Sequence, residues 1–251
     1  MNPSLNVAVL LSDATRRLAE ALALENREAR LEARVLLAHA LKVDHAWLIG
    51  HDRDTPSAEH QKAIGELIAR RAAGEPVAYI LGEREFYGRT FKVTPDVLIP
   101  RPETELLVET ALERLPKDRP ARILDLGTGS GCIAISIALE RTDCEVWAVD
   151  QSSAALSIAR HNALALGANV HWHQGHWFEG LENIRFDMLV SNPPYIADSD
   201  PHLSRGDVRF EPRTALVSGR EGMADIEFLI TSASENLTED GWLLIEHGYD
   251  Q

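Results

Sequence analysis

The chain is short of several features that would settle its class at once. It has two cysteines, Cys132 and Cys144, in 251 residues. That is too few for a disulfide framework or a cysteine-bound zinc site, so a reducing, cytoplasmic setting is expected. No apolar run approaches the roughly 20 residues of a membrane span, and no membrane partner is expected. The start, MNPSLNVAVLLSDATRR, has no basic residue ahead of its short apolar run and does not read as a signal peptide. Positive charge is scarce, with 25 Lys and Arg against 39 Asp and Glu, a net charge of −14. The deficit is uneven: residues 1–90 hold 12 basic against 13 acidic side chains, and residues 91–251 hold 13 against 26. A groove that tracks a nucleic-acid backbone needs a basic surface. No direct nucleic-acid binding is therefore expected, and a small molecule or a basic protein suits the acidic part better. Internal repeats and low-complexity segments are also missing.

What is present suits a soluble chain of one large domain and one small one. Hydrophobic residues make up 45% and charged residues 25%. Up to residue 75, Leu and Ala recur at helical spacing in NVAVLLSDATRRLAEALAL and REARLEARVLLAHALK. Asp44 is placed to cap HAWLIGH, and Thr55 with Pro56 to open the next helix, which leaves at Gly74. Four histidines (39, 45, 51, 60) lie here without a cysteine or carboxylate cluster, and no metal site is expected. Residues 1–75 thus read as a helical domain without chemistry of its own. Residues 76–100, with Gly82, Gly88, Pro95 and Pro100 around EREFYG and TFKV, read as a β-hairpin linker. Residues 101–251 read as the catalytic domain. There apolar strands alternate with helices, the pattern of a doubly wound, Rossmann-like α/β domain with a parallel sheet.

Two motifs carry chemistry. ILDLGTGSGCIAI places Gly127, Gly129 and Gly131 between a strand and a helix, where glycines permit a tight turn and close approach of a ligand. A dinucleotide fingerprint would want Gly or Ala at Cys132, so the G-x-G-x-G turn fits S-adenosylmethionine better. The next strand ends at Asp150, 23 residues past Gly127, where a carboxylate can accept from both ribose hydroxyls. Asp125 is open to two readings, facing the cofactor's positive end or binding the turn's own N–H groups. The second motif is FDMLVSNPPY. A buried strand runs into Asn192, two prolines that lack N–H groups, and Tyr195. Asn192 Oδ1 and a proline carbonyl can each accept one hydrogen of an –NH2 group, and Tyr195 offers a flat wall. A plain proline-rich loop is the alternative when the motif is taken by itself.

The segments GEREFYGRTFKVTPDVLIPRPETELLVE, ILDLGTGSGCIAISIA, SNPPYI, DVRFEPRTALVSGREGM and LLIEHG together resemble the peptide chain release factor glutamine N5-methyltransferases. The Asn-Pro-Pro-Tyr motif by itself is shared with DNA adenine methyltransferases; IPRPETE and DVRFEP are more specific. The resemblance implies a class I S-adenosylmethionine-dependent fold that methylates the glutamine of the release factor's Gly-Gly-Gln motif, acting as a monomer. It implies a cofactor site of Gly127, Thr128, Gly129, Ser130, Gly131, Asp150, Trp177 and Asn192. Trp177 could equally be a core aromatic. It implies that Asn192, Pro193 and Tyr195 perform the transfer, with Pro194, Arg101 and Glu103 also at the substrate. For Arg101 and Glu103 a fold-supporting ion pair is the rival reading. Arg209, Glu211 and Pro212 would stand near the substrate mouth. The helical domain would dock the release factor. Relatives of this family continue past LLIEHGYDQ with a helix and a strand pair, so a shortened C-terminal end is expected. A nucleic-acid adenine N6-methyltransferase and a noncatalytic cofactor-binding module are the alternatives. The first lacks its basic groove here, and the second has no use for the acceptors of Asn192.

Overall fold

The computed structural model describes residues 5–251. The first four residues of the leader reading and of the helical domain lie outside them. The chain divides into two compact units, 1–81 and 82–251.

The first unit is helical. Helices α1 (Val7–Leu22), α2 (Asn26–Leu41), α3 (His45–Gly50), α4 (Ala58–Ala72) and α5 (Val77–Leu81) surround Leu18, Ala33, Leu36, Leu37, Ile64 and Ile68. Each such Leu or Ile stabilises the unit by about 1.5–3 kcal/mol. Asn6 caps α1 by accepting from Val9 N at 2.9 Å, and Asp44 caps α3 by accepting from Trp47 N at 2.7 Å. At α4 the cap is Ser57, whose Oγ accepts from His60 N, and not Thr55 as the sequence suggested. Pro56 falls outside the helix, which begins two residues later at Ala58. A second difference lies at VAYIL. It stands in the segment read as hairpin but is helix α5, because Pro76 O accepts from Tyr79 N and Ile80 N and starts a turn. The unit boundary falls accordingly between Leu81 and Gly82.

A buried ion pair ties α2 to the end of α4. Arg71 is only 5% exposed. Its Nε and Nη2 donate to the Glu32 carboxylate at 2.8 and 2.9 Å, and its Nη1 donates to the carbonyls of Gly74 and Glu75.

The second unit opens with a hairpin of β1 (Glu83–Phe86) and β2 (Arg89–Lys92). Its two-residue turn has Tyr87 and Gly88 both at positive φ, the geometry whose twist matches the flanking strands. Helix α6 (Glu105–Arg114), β3 (Arg122–Leu126), α7 (Cys132–Glu140), β4 (Glu145–Asp150), α8 (Ser153–Leu166), β5 (His171–Gln174) and β6 (Phe186–Ser191) follow. A small parallel pair, β7 (Ile196–Ala197) and β8 (Val217–Ser218), precedes the last helix, Ala224–Asn236, and β9 (Leu237–Ile245).

The main sheet has the order β5-β4-β3-β6-β9, with every pair parallel. Its strands alternate inward residues between two cores. Ile123, Met188 and Val190 meet α6 and α7 on one face. Leu124, Leu126 and Leu189 meet Phe178, Leu229 and Ala233 on the other. Burial on both faces explains why these strands are nearly continuous apolar runs. Strand order reverses beside β3, so its neighbours are β4 and β6.

Replacing Glu32 with Ala would remove the carboxylate that accepts from Nε and Nη2 of the buried Arg71. The expected loss is about 3 kcal/mol from the helical unit, read as a lowered urea midpoint or faster amide exchange in α2 and α4.

Candidate active site

The register of three strands builds the site. Leu126 pairs with Val149 on one side and with Ser191 on the other. The residues that follow, Gly127 after β3 and Asn192 after β6, therefore emerge beside Asp150 at the end of β4. In an open parallel sheet this reversal point at the carboxyl ends is where ligands bind. A cleft of about 250 Å³ lies there, lined by Gly127, Gly129, Asp150, Trp177, Asn192 and Pro194 among others.

The glycine turn is held from both sides. Gly127 N and Thr128 N both donate to Val149 O. Asp150 Oδ2 accepts from Gly129 N at 2.9 Å, and Oδ1 accepts from Ser152 N at 2.8 Å. Each oxygen keeps a lone pair for a ligand. Burial raises the Asp150 carboxyl above its ordinary range, and the Ser152 and Gly129 N–H groups oppose that rise. Gly131 begins α7 at φ 83°, and a Cβ there would lie 2.8 Å from Ile135 Cδ1. A Cβ on Gly127 would meet the Trp177 ring at 3.3 Å, so the turn and the indole close on one another. Trp177 itself stands at φ 53°, a strained conformation for a bulky residue, and its buried Nε1 has no partner. Strain of that kind concentrates at ligand sites. Thr128 and Ser130 are buried behind the turn and line neither cavity.

Of the two readings of Asp125, the structure displays the second. The side chain is fully buried, and Oδ2 accepts from Thr128 Oγ1 at 2.6 Å and from Ala134 N at 3.2 Å. Oδ1 has no partner. Desolvation pushes this carboxyl up to about 7. Burial likewise pushes the Cys132 thiol up to about 12, too high for a nucleophile at neutral pH.

A second cavity of about 190 Å³ is lined by Arg101, Asn192, Pro193, Tyr195, Ile196 and Leu216 among others. Asn192 faces both cavities. Its Nδ2 donates to Thr104 Oγ1 at 3.1 Å. Tyr195 Oη donates to Glu246 Oε1 at 3.4 Å; burial, then the Glu246 charge, raises the phenol's pKa. Arg101 lines this cavity and is also ion-paired with Glu211, whose side chain is fully buried and also accepts from Ile99 N. Both readings of Arg101 thus meet in one residue. Glu103 is exposed and lines neither cavity, though its charge bears on Tyr195. Pro212 lines the first cleft, while Arg209 lies over the Phe210 ring.

Some residues at the site were not singled out from sequence. Asn162 on α8 donates to Ser130 O and Lys92 O and accepts from Lys92 N, tying the glycine turn to the hairpin. A lone polar residue on the apolar face of ARHNALAL was its signal. Thr104 and Glu246 gave none beyond their place in IPRPETE and LLIEHG.

Family models match in two places. The PrmC N-terminal domain covers residues 10–82, and the Methyltransferase small domain covers residues 102–207. A release factor glutamine methyltransferase of Bordetella pertussis is 52% identical over 223 residues, 88% of this chain and 83% of that protein. The chain belongs to the release factor glutamine methyltransferase family. The family's protein from Escherichia coli is 47% identical over 88% of this chain and 80% of its own length. Among solved structures, a T. Thermophilus 16S rRNA N2 G1207 methyltransferase aligns at a TM-score of 0.48 with 25% identity, over 64% of this chain and 40% of that one. The family match over residues 102–207 and the parallel five-stranded sheet make the second unit the Rossmann-like methyltransferase domain of this family. Among the described residues no group of three or more His, Cys, Asp or Glu could hold a metal, and no helix is long and apolar enough to cross a membrane.

The Asp125 carboxyl has a testable signature. Its folded value near 7 lies above the ordinary carboxyl value near 4, so the folded state binds the extra proton between them. The stability this contributes is complete below pH ~4 and is lost as pH rises through ~7. Asp125→Asn removes the titration. Relative to that variant, the native protein is expected to lose about 2 kcal/mol between pH 5 and 7.5, read from thermal unfolding of both.

Proposed function

We propose that this chain transfers a methyl group from S-adenosylmethionine to the side-chain amide nitrogen of a glutamine, the one in the Gly-Gly-Gln motif of peptide chain release factors. The observation that carries the reading is Asn192, which faces both the cleft beside the glycine turn and the neighbouring cavity lined by Tyr195. One side chain can therefore touch donor and acceptor at once. Membership of the family supports the same substrate and argues against a nucleic-acid base.

The residues fit this cofactor. Asp150 retains acceptor lone pairs suited to a ribose diol, and a Cβ on Gly127 would crowd the Trp177 ring at 3.3 Å. Gly127, Gly129, Asp150 and Trp177 would hold it, with Asn192 bordering its methyl end and Thr128, Ser130 and Gly131 shaping the turn from behind. When bound, the sulfonium supplies an electrophilic methyl carbon.

The chain's own residues do the rest. An amide nitrogen is a poor nucleophile because its lone pair is delocalised. Asn192 Oδ1 and the Pro193 carbonyl accept its two hydrogens and aim it. They also stabilise the positive charge that develops on nitrogen during attack. The prolines keep these acceptors in place without reorganisation, and Tyr195 walls the planar group. No strong base has to act first, because the N–H becomes acidic only as the new bond forms. Pro194 stiffens the elbow, and Arg101 borders the substrate cavity. The charge of Glu103 stands nearby.

The helical unit is the proposed docking surface for the release factor. Its exposed large apolar side chains include Leu31 at 56% and Ile49 at 69%. The protein is proposed to act as a cytoplasmic monomer that does not bind nucleic acid.

Asn192→Ala is expected to cost at least ~10³-fold in methyl transfer with cofactor affinity nearly unchanged, measured by radiolabel transfer and calorimetry. Full turnover by that variant would refute the assignment. Labelled cofactor offered with release factor, with its Gln→Ala form and with DNA should mark only the first; label on DNA alone sinks the reading. Leu31→Asp with Ile49→Asp should raise KM for the release factor about tenfold at unchanged kcat. An unchanged KM removes the docking role.

A further inference from the structure

Thr104 closes the short turn Pro102–Thr104 that runs into α6, and its backbone is helical. Its hydroxyl caps no helix. The residue is only 2% exposed, and its Oγ1 accepts from Nδ2 of Asn192, 88 residues further along the chain.

The hydroxyl is held in place from both sides. Arg101, three residues before it, is ion-paired with the buried Glu211. Glu105, the next residue, accepts from Tyr87 N at 2.9 Å through its carboxylate. Thr104 N closes the turn on Arg101 O at 3.1 Å. The short turn Pro102–Thr104 is thus tethered to the hairpin and to the segment around Glu211, and its hydroxyl is a fixed point.

That fixed point bears on chemistry because an amide has two unlike ends. The terminal torsion of asparagine is broad and nearly two-fold, so by itself it does not choose an end. With Nδ2 on Thr104, Oδ1 is the end left for a ligand. With the amide turned over, Asn192 would present N–H groups to a substrate –NH2, donor against donor.

We propose that Thr104 is a positioning residue for methyl transfer. It holds Asn192 through Nδ2, an arrangement that leaves Oδ1 for the substrate amide. The inference rests on the role given to Asn192 under the proposed function. Thr104 touches neither substrate nor cofactor; it acts through Asn192.

The test compares Thr104→Val, which keeps the shape and removes the hydroxyl, with Thr104→Ser, which restores it. Thr104→Val is expected to lower kcat toward the release factor about 10²-fold, with the cofactor dissociation constant unchanged and Tm within about 3 °C. Thr104→Ser should recover most of the rate. A second readout does not depend on activity. The side-chain amide resonances of Asn192, assigned by their loss in Asn192→Ala, should move in Thr104→Val and return in Thr104→Ser. The proposal is overturned if Thr104→Val keeps kcat within about twofold, if Thr104→Ser is as slow as Thr104→Val, or if the Asn192 resonances ignore both changes. If the native protein does not methylate release factors, the functional reading fails, and the resonances still decide whether Thr104 holds Asn192.

Discussion

The parallel register around β3 is the constraint on which the site depends. Because β3 pairs with β4 on one side and β6 on the other, three strand ends finish level. Gly127, Asp150 and Asn192 are far apart in sequence, yet Gly127 and Asn192 are the first residues beyond β3 and β6, and Asp150 is the last of β4. A slip of one residue in either pairing would turn every inward side chain to the opposite face. The two cores resist such a slip, since Leu124 and Ile123 are fully buried on opposite sides. Apolar packing therefore sets the spacing of the polar groups that do the chemistry.

Buried polar groups then stiffen what the register places. Asp150 and Asn162 grip the glycine turn from β4 and from α8. Asp125 secures it from beneath at the cost of a carboxyl whose other oxygen is unpaired. Arg101, Glu211 and Thr104 do the same for the elbow. Groups that must meet a charge developing in the transition state work best when they need no rearrangement, and this network supplies that rigidity. The family's IPRPETE and DVRFEP segments meet here as one ion pair, Arg101 with Glu211, although 110 residues separate them.

The strands, the glycine turn and the hairpin were legible in the sequence because each carries a local signal: continuous apolar runs, glycines at fixed spacing, and Tyr87-Gly88 between alternating residues. The start of α4 was misjudged because Thr55 and Ser57 are both good caps, and only the path of the chain chooses between them. VAYIL was placed with the hairpin because it shares the segment 76–100, punctuated by Gly and Pro, with EREFYG and TFKV. Ile80 instead packs into the helical core. Thr104 could not be read as a site residue, and Asn162 showed only as a lone polar residue on an apolar face, since their partners lie 88 and 32 or more residues away.

Sequence by itself determined the groups on offer: a glycine turn after a strand, an elbow of acceptors with few donors, and a net charge of −14. Those properties belong to residue types and short spacings, which the chain carries wherever it goes. Only the tertiary structure decided that Asn192 faces two cavities, that Asp125 serves the turn instead of lining the cleft, and that Arg101 answers to Glu211. Each of these is a matter of which buried group finds which partner. That is settled by long-range packing in a low-dielectric interior, where an unpaired polar atom is costly and one arrangement wins.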